Sequence, residues 1–571
     1  MRFSELASIY AELERTSSGN KLREILSSFF KRVPKEDIGH VAFLTLGQIA
    51  PHYANVNLGV ADKMVLRALA SATNKSPEFF LKRFKKTGDI GDIAAEFMRG
   101  KSTLTIREAF EELHTIAAAS GAGSQERKVT RLAKLLKQAS PDEARYLCRI
   151  ALGNLRMGVA DKTALDALAI AYTGKKENKK ILEAAYNIAP DVSIIAKTLA
   201  TKGLKAVANI GVTLGTPLLS MLCQRVESLT EIPGLMGTPF AVEVKYDGER
   251  IQVHKQGNTI TLYSRRLENV TSQFPDIVEH IRKTVRAKSA VLDSEAMPTD
   301  PKTGKLLHFQ ALMSRRRKHD IDAFVKKIPV TLFVFDILYL NGKSLIATPY
   351  DARTRLLAKS VKVNARLKLA NRVFCTNVDC AEELFNRTVT QGGEGVVLKK
   401  IDSPYQAGVR GWNWVKWKPE YVKGMQDTFD LVVVGGFYGA GKRGGMLSSY
   451  LCAAYDESKD RFETFTKVAT GFSDEQLREM QKKALKFKSA HKSSRLVSLP
   501  VMTPDVWFEP GLVIEVLGAE ITKSPMHTAA GGLALRFPRF LRYREDKSAE
   551  EATTTREIVQ MARRKRAHER F

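Results

Sequence analysis

Cysteine is scarce in this chain and follows no pattern. Only Cys148, Cys223, Cys375, Cys380 and Cys452 occur among 571 residues, and no Cys-x-x-Cys pair is present. Neither a zinc site nor a disulfide framework is therefore expected. No run of 18 apolar residues occurs, so no transmembrane helix is read. The start, Met1-Arg-Phe-Ser-Glu-Leu6, lacks the apolar core of a signal peptide, and a cytoplasmic location is expected. No Gly-x-x-x-x-Gly-Lys-Ser/Thr occurs, which argues against a P-loop. Negative charge is also in short supply, with 62 Asp and Glu against 90 Lys and Arg and a formal charge of +28. Such a balance suits a polyanionic partner, usually nucleic acid. Solubility by excess lysine and an anionic membrane surface are the alternatives.

The length suggests domains of roughly 150 to 200 residues each, about three in all. Residues 1–215 read as helical. Leu6, Ile9, Tyr10 and Leu13 keep helical spacing, as do Leu22, Ile25, Leu26, Phe29 and Phe30. Leu26-x-x-Phe29-Phe30 is similar to a sliding-clamp-binding box, but Arg23 stands where glutamine is expected, and the stripe reads as core. The region repeats itself. Leu58-Gly-Val-Ala-Asp-Lys63 returns as Met157-Gly-Val-Ala-Asp-Lys162, and Leu66, Ala68, Leu69 and Ala70 return as Leu165, Ala167, Leu168 and Ala169. A duplicated helical unit with pseudo-twofold symmetry is expected. Each Ala-Asp is read as a helix N-cap, either a grip on a phosphate or only a turn.

After Gly215 strands take over. Phe240 to Asp247 alternates with period two, Asp247-Gly248 offers a tight turn, and Ile251 and Val253 resume the alternation, so a hairpin is expected. One face of its first strand carries Glu243 and Lys245. A lysine beside a carboxylate and followed by Arg250 is a candidate covalent nucleophile, because a nearby cation and partial burial both disfavour the ammonium form. A salt-bridged edge lysine is the alternative. Further on come Leu262-Tyr-Ser-Arg265-Arg266, Val291-Leu-Asp-Ser-Glu295-Ala, a basic helix-like piece over 309–318, and the nearly continuous apolar strand Val330–Leu338 with Phe333, Phe335 and Ile337 on one face. Gly393-Glu394-Gly-Val-Val-Leu-Lys399 needs either a bulge or a strand that starts after Glu394. Arg410-Gly-Trp412-Asn-Trp414-Val-Lys416-Trp-Lys418 sets two lysines and two tryptophans on one strand face. From Lys423 short strands and glycine-rich turns suit a small barrel such as an OB fold. A basic helical tail closes the chain over 556–571.

Lys-Tyr-Asp-Gly-Glu-Arg resembles the first motif of the covalent nucleotidyltransferases, which comprise ATP-dependent DNA ligases, RNA ligases and capping enzymes. The later segments resemble the remaining motifs in order. Arg145-Tyr-Leu-Cys-Arg149 with Gly153-Asn-Leu-Arg156 resembles the helical DNA-binding domain of ATP-dependent DNA ligases, and the compact organisation looks archaeal. The resemblance implies a multidomain chain: an all-α DNA-binding domain over 1–215, an α+β nucleotidyltransferase domain over 216–422 and an all-β OB-fold domain over 423–571. It implies ATP and Mg²⁺ as cofactors and nicked duplex DNA as the partner, in replication, repair and recombination. It implies a monomer with no membrane partner and leaves a sliding clamp open.

By the same resemblance Lys245 takes AMP as a phosphoramidate. Glu243, Arg250, Arg265, Glu295, Phe335, Lys399, Arg410, Lys416, Lys418 and Arg536 join Lys245 in binding the nucleotide, with Phe335 stacking on adenine. Glu295 and Glu394 are the metal-facing carboxylates. Two readings compete. An RNA ligase or capping-type enzyme would not explain the duplicated helical domain. A non-catalytic nucleic-acid-binding protein would not explain intact Lys245, Glu295, Glu394, Lys416 and Lys418.

Overall fold

Among the described residues of 1–202, twelve α-helices form two sets of six. α1 (Phe3–Glu14), α2 (Gly19–Phe30), α3 (Ile38–Thr45), α4 (Asp62–Thr73), α5 (Pro77–Thr87) and α6 (Ile90–Phe97) form one set. α7 (Ile106–Ala118), α8 (Ser124–Gln138), α9 (Pro141–Ala151), α10 (Asp161–Thr173), α11 (Lys179–Ile188) and α12 (Val192–Lys202) form the other. The computed structural model describes all residues except 17, 102, 227, 308–310, 313–314, 316–320, 392, 419–426, 440–444, 519 and 569–571.

Each set buries its apolar stripes against the other. α2 packs on α10 and α8 on α4, while α3 packs on α12 and α9 on α6. The pseudo-dyad passes by the bridge between Arg2 and Thr105, where Phe3 N–H donates to Leu104 O at 2.9 Å and Ile106 N–H donates to Met1 O at 3.0 Å. The duplication read in the sequence thus extends over the whole helical region. Charge was exchanged within it. Arg23 on α2 pairs with buried Asp166 on α10 at 2.6 Å, and at the equivalent place Glu126 on α8 pairs with Arg67 on α4. Leu26, Phe29 and Phe30 are buried, which places the clamp-like box in the core as its spacing suggested.

The two Gly-Val-Ala-Asp-Lys turns match closely: φ is 59° at Gly59 and 68° at Gly158, and the next helices start after Ala61 (φ −113°, ψ 166°) and Ala160 (φ −118°, ψ 170°). The N-cap residue is the alanine, with no side-chain cap bond. Each helix thus starts at the Ala-Asp pair as read, with Asp62 and Asp161 in the first helical turn, where a carboxylate suits the positive end of the helix dipole.

The following strands are β1 (Leu222–Arg225), β2 (Phe240–Val244), β3 (Glu249–Gln256), β4 (Thr259–Ser264), β5 (Ser289–Pro298), β6 (Val330–Leu340), β7 (Lys343–Ser344), β8 (Leu367–Leu369), β9 (Arg372–Cys375), β10 (Val396–Lys400) and β11 (Arg410–Trp417). They form two sheets, ordered β4-β3-β5-β6-β7 with β8 on β6, and β1-β11-β10-β2-β9. The expected hairpin does not form. β2 pairs with β9 and β10, whereas β3 pairs with β4 and β5. Alternation marked both strands correctly, but it carries no information about their partners. Gly248 is not at positive φ. It is a close-approach glycine, since a Cβ there would lie 2.4 Å from Ala296 O.

The chain divides into two compact units, one of residues 1–224, 246–371 and 399–414, the other of 225–245, 372–398 and 415–571. The division falls within 216–422 and separates Lys245 from Tyr246. In the first unit the helical region is fastened to the six-stranded sheet. Gly215 N–H donates to His254 Nδ1 at 3.1 Å, Leu218 N–H to Gln252 Oε1 at 2.8 Å, and Tyr263 O–H to Gly215 O at 2.6 Å. Asn55 and Asn269 exchange two further bonds, at 2.8 and 3.1 Å.

In the second unit β12 (Asp427–Tyr438), β13 (Leu447–Asp456), β14 (Arg461–Val468), β15 (Lys488–Ser489), β16 (Leu496–Val497), β17 (Val506–Gly518), β18 (Glu520–Lys523), β19 (Leu533–Arg536) and β20 (Arg539–Tyr543) build the OB fold. Their order is β15-β17-β12-β13-β14-β16 with β20 on β17, and β18 pairs β19. The helix Asp474–Leu485 adds Leu477, Met480 and Ala484 to its core, and the basic tail helix Thr555–His568 buries Ile558. Contrary to the cysteine reading, Cys375 and Cys380 form a disulfide between the end of β9 and the helix Val378–Thr390. The pair is local, so it staples one turn and is no framework. The basic piece over 309–318 lies mostly outside the described residues, as do Lys442 and Arg443. Among the described residues no helix is long and apolar enough to cross a membrane.

His254 accepts through Nδ1 and faces Gln252 Oε1 through Nε2 at 2.9 Å, so the bonding requires a neutral imidazole. Burial pushes its pKa down to about 3. The unfolded chain takes up this proton below its ordinary value near 6.5, while the folded chain does not. Stability is therefore lost as pH falls from about 6.5 towards 3, at about 1.4 kcal/mol per pH unit for this group. His254→Gln is expected to flatten the decline, read from denaturant midpoints at pH 7, 6 and 5; an unchanged pH slope would rule the imidazole out as its source.

Candidate active site

Two clusters of functional side chains form, one in each unit. In the second unit β2 ends at Val244, and Lys245 N–H donates to Gly395 O at 2.8 Å. Glu394 precedes β10, which resolves the parity problem without a bulge inside the strand. Its carboxylate is shared by the ammonium groups of Lys245 and Lys418. The three side chains are 22, 23 and 14% exposed for Glu394, Lys245 and Lys418. Burial pushes the Glu394 pKa up, but Lys245 and then Lys418 outweigh it and hold the group below the usual carboxylate range. The opposite charge facing Lys245 is therefore Glu394. Two residues back, buried Glu243 accepts from Arg372 Nε at 2.7 Å across the β2–β9 pair.

In the first unit Arg250 is half-buried, its side chain 15% exposed, and engaged on almost every side. Nε and Nη2 donate to the Asp293 carboxylate at 3.0 and 2.6 Å, and Nη1 donates to Met221 O at 2.8 Å. Burial works against its charge, yet Asp293 holds its pKa above the ordinary value. The Arg250 guanidinium is thus answered by the Asp293 carboxylate. Its carbon lies 5.3 Å from the Phe335 ring centre and 5.6 Å from that of Trp414, and Lys399 Nζ is 4.7 and 4.1 Å from the same two rings.

Phe335 owes its direction to a bulge. Asp293 pairs with Asp336 and Ser294 with Val334, so Phe335 is the extra residue of β6. It packs with Leu338 and Trp414, whereas Ile337 packs on the other side of the sheet with Leu332 and Val334. The expected common face of Phe335 and Ile337 is thus broken. Phe333 stacks instead on Tyr246, at 4.1 Å between ring centres.

The other expected residues are more scattered. Glu295 pairs in register with Arg250 on β3 and Phe333 on β6. Arg265 is exposed just after β4. Arg410 is exposed and reaches Cys223 O at 3.4 Å. Lys416 is half-buried on β11. Arg536 pairs with Glu520 at 3.1 Å and lies over the Phe537 ring. The tryptophans of β11 differ sharply: Trp412 is 46% exposed and Trp414 2%.

Family models for ligases match three parts of the chain. They are the DNA ligase N terminus over residues 2–169, the ATP dependent DNA ligase domain over 220–418 and the ATP dependent DNA ligase C terminal region over 443–547. DNA ligase 1 of Methanosarcina acetivorans is 43% identical over 98% of this chain and 99% of its own. The chain belongs to the ATP-dependent DNA ligases. DNA ligase of Saccharolobus shibatae is 42% identical, covering 98% of this chain and 97% of its own. A solved structure called "Pmar-Lig_Pre." shares the fold at 18% identity, with a TM-score of 0.57 and coverage of 94% of this chain and 99% of that one.

Sequence reasoning about this ligase passed over Asp293, Arg372 and Tyr405. A buried acid on β5 opposite Arg250 becomes visible only once β3 and β5 are known to pair. For the metal, no group of three or more acid, His or Cys ligands occurs among the described residues. Glu394 and Glu295 stand as single carboxylates, and an ion of the Mg²⁺ type keeps water and takes most of its ligands from substrate phosphates.

Gly395 carries the Lys245 contact at φ 127°, and a Cβ there would lie 2.3 Å from Trp417 O. Gly395→Ala is expected to cost roughly 2 kcal/mol or more of stability from backbone strain and overlap, and to displace Glu394. Gly234→Ala, which meets open space, serves as the control. Thermal midpoints of the two variants give the comparison; equal midpoints would contradict the packing argument.

Proposed function

We propose that this ligase seals nicks in duplex DNA through a Lys245–AMP intermediate. The observation that carries the reading is the shared Glu394 carboxylate between Lys245 and Lys418, on the residues that match the ligase nucleotidyltransferase motifs. Lys245 Nζ, once it gives up a proton, attacks the α-phosphate of ATP and pyrophosphate leaves. AMP then passes to the 5′-phosphate of the nick, and the 3′-hydroxyl displaces AMP as the strand closes. Lys418 and Lys416 place positive charge for the α-phosphate and the leaving pyrophosphate. Phe335 takes the adenine ring, with Arg250, Lys399, Glu295 and Glu243 around the nucleotide. Arg265 is assigned to the AMP or the nick, Arg410 to the nucleotide and Arg536 to the pyrophosphate. When bound, Mg²⁺ supplies charge neutralisation at the phosphates, with Glu394 and Glu295 as its protein carboxylates.

The duplicated helical domain supports backbone-directed grip on the duplex, which suits an enzyme indifferent to sequence. The reading makes the protein a cytoplasmic monomer acting in replication, repair and recombination.

Incubation with α-labelled ATP and Mg²⁺, followed by denaturing separation, is expected to leave acid-labile label on the wild type and none on Lys245→Ala. Label from GTP in place of ATP would point to capping chemistry. Absence of label from any nucleotide would remove the covalent mechanism.

A further inference from the structure

Tyr405 lies between β10 and β11 and belongs to none of the segments that resemble ligase motifs. It is 4% exposed, and its hydroxyl is the centre of a buried network. Tyr405 O–H donates to Asp293 Oδ2 at 2.8 Å. The same oxygen accepts from Met221 N–H at 3.0 Å and from Arg250 Nη2 at 3.3 Å. Asp293 is fully buried, and its two oxygens are the ones that take Arg250 Nε and Nη2. The ring of Tyr405 meets Trp414 edge-on at 5.7 Å, and Trp414 meets Phe335 edge-on at 6.1 Å.

The arithmetic of donors shows what the hydroxyl does. A guanidinium has five N–H groups. Asp293 takes two, Met221 O one and Tyr405 one, which leaves a single Nη1–H without a partner among the described residues. The plane of the group is thereby set against Phe335, and one donor is kept in a defined direction. A tyrosine also suits the position chemically. Burial, the largest influence, and the neighbouring carboxylate raise its pKa well above the ordinary value, so it stays a neutral donor to Asp293. Without the hydroxyl, Met221 N–H and one Nη2–H lose their acceptor and Asp293 loses a donor. Buried groups left in that state find other geometry, and the guanidinium is free to turn.

We propose that Tyr405 is a positioning residue for nucleotide binding: its hydroxyl holds Asp293 and Arg250 so that the guanidinium lies fixed beside the Phe335 ring that receives the adenine. The proposal rests on the reading of Lys245 and Phe335 given above. It concerns binding of the nucleoside part of ATP in ground and transition state alike, and no transfer of a proton through Tyr405.

The test is the rate of Lys245 labelling against ATP concentration for wild type, Tyr405→Phe and Thr331→Val. Thr331 loses a comparable buried hydroxyl contact in the same sheet, 3.0 Å from Thr299, away from Arg250. Tyr405→Phe is expected to raise the KM for ATP about tenfold with kcat within twofold, the pattern of lost uniform binding. Thr331→Val is expected to leave both constants near wild type, with thermal midpoints recorded for all three proteins. An unchanged KM in Tyr405→Phe, or a loss of kcat alone in proportion to lost folded protein, overturns the proposal. A wild type that takes no label overturns the Lys245 reading and this inference with it, so the two failures are told apart.

Discussion

A partly buried carboxylate must have its charge answered, and at Glu394 two ammonium groups answer it. Lys245 and Lys418 come from a strand end and from the segment after β11, and neither is near Glu394 in sequence. Bringing two cations to one partly buried acid makes the acid the common hold, because removing the carboxylate leaves two neighbouring ammonium groups uncompensated. The glycine at 395 exists for this contact: its carbonyl holds the Lys245 backbone, and its missing Cβ lets the chain pass Trp417. Nucleophile, acid and second lysine are thus set by one electrostatic constraint and one close backbone approach.

The same logic governs the first unit in a drier setting. Arg250 and Asp293 are an ion pair whose desolvation is met by bidentate geometry and by Tyr405 and Met221. A second pair, Arg353 with Asp336, is entirely buried nearby in the chain's register, since Asp336 stands opposite Asp293 on β6. Aromatic rings fill what the ions leave, and the bulge at Phe335 turns one ring out of the regular pleat towards Arg250 and Lys399.

The helical region shows how a duplicated sequence diverges under packing constraints. Apolar positions and the two Gly-Val-Ala-Asp-Lys turns are kept, because both copies need the same faces and the same left-handed glycine. Charges at equivalent places were free to change in pairs. Arg23 with Asp166 and Glu126 with Arg67 carry opposite signs at matching positions, and each pair remains neutral.

Much of the molecule was legible in its residues. The helical repeat, the change to strands after Gly215 and the barrel after Lys423 follow from local periodicity, repetition and turn composition, which are properties of short stretches. What the stretches do to one another was not legible. The Asp247-Gly248 turn looked like a hairpin and is a crossing between sheets. Cys375 and Cys380 looked scattered and are bonded. Phe335 and Ile337 looked like one face and are parted by a bulge. Asp293, Arg372 and Tyr405 looked ordinary. In each case the deciding quantity was a strand partner or a contact between distant residues. Period and propensity act over a few residues, while the neutralisation of buried charge and the pairing of strands are settled only when the whole chain has closed around them.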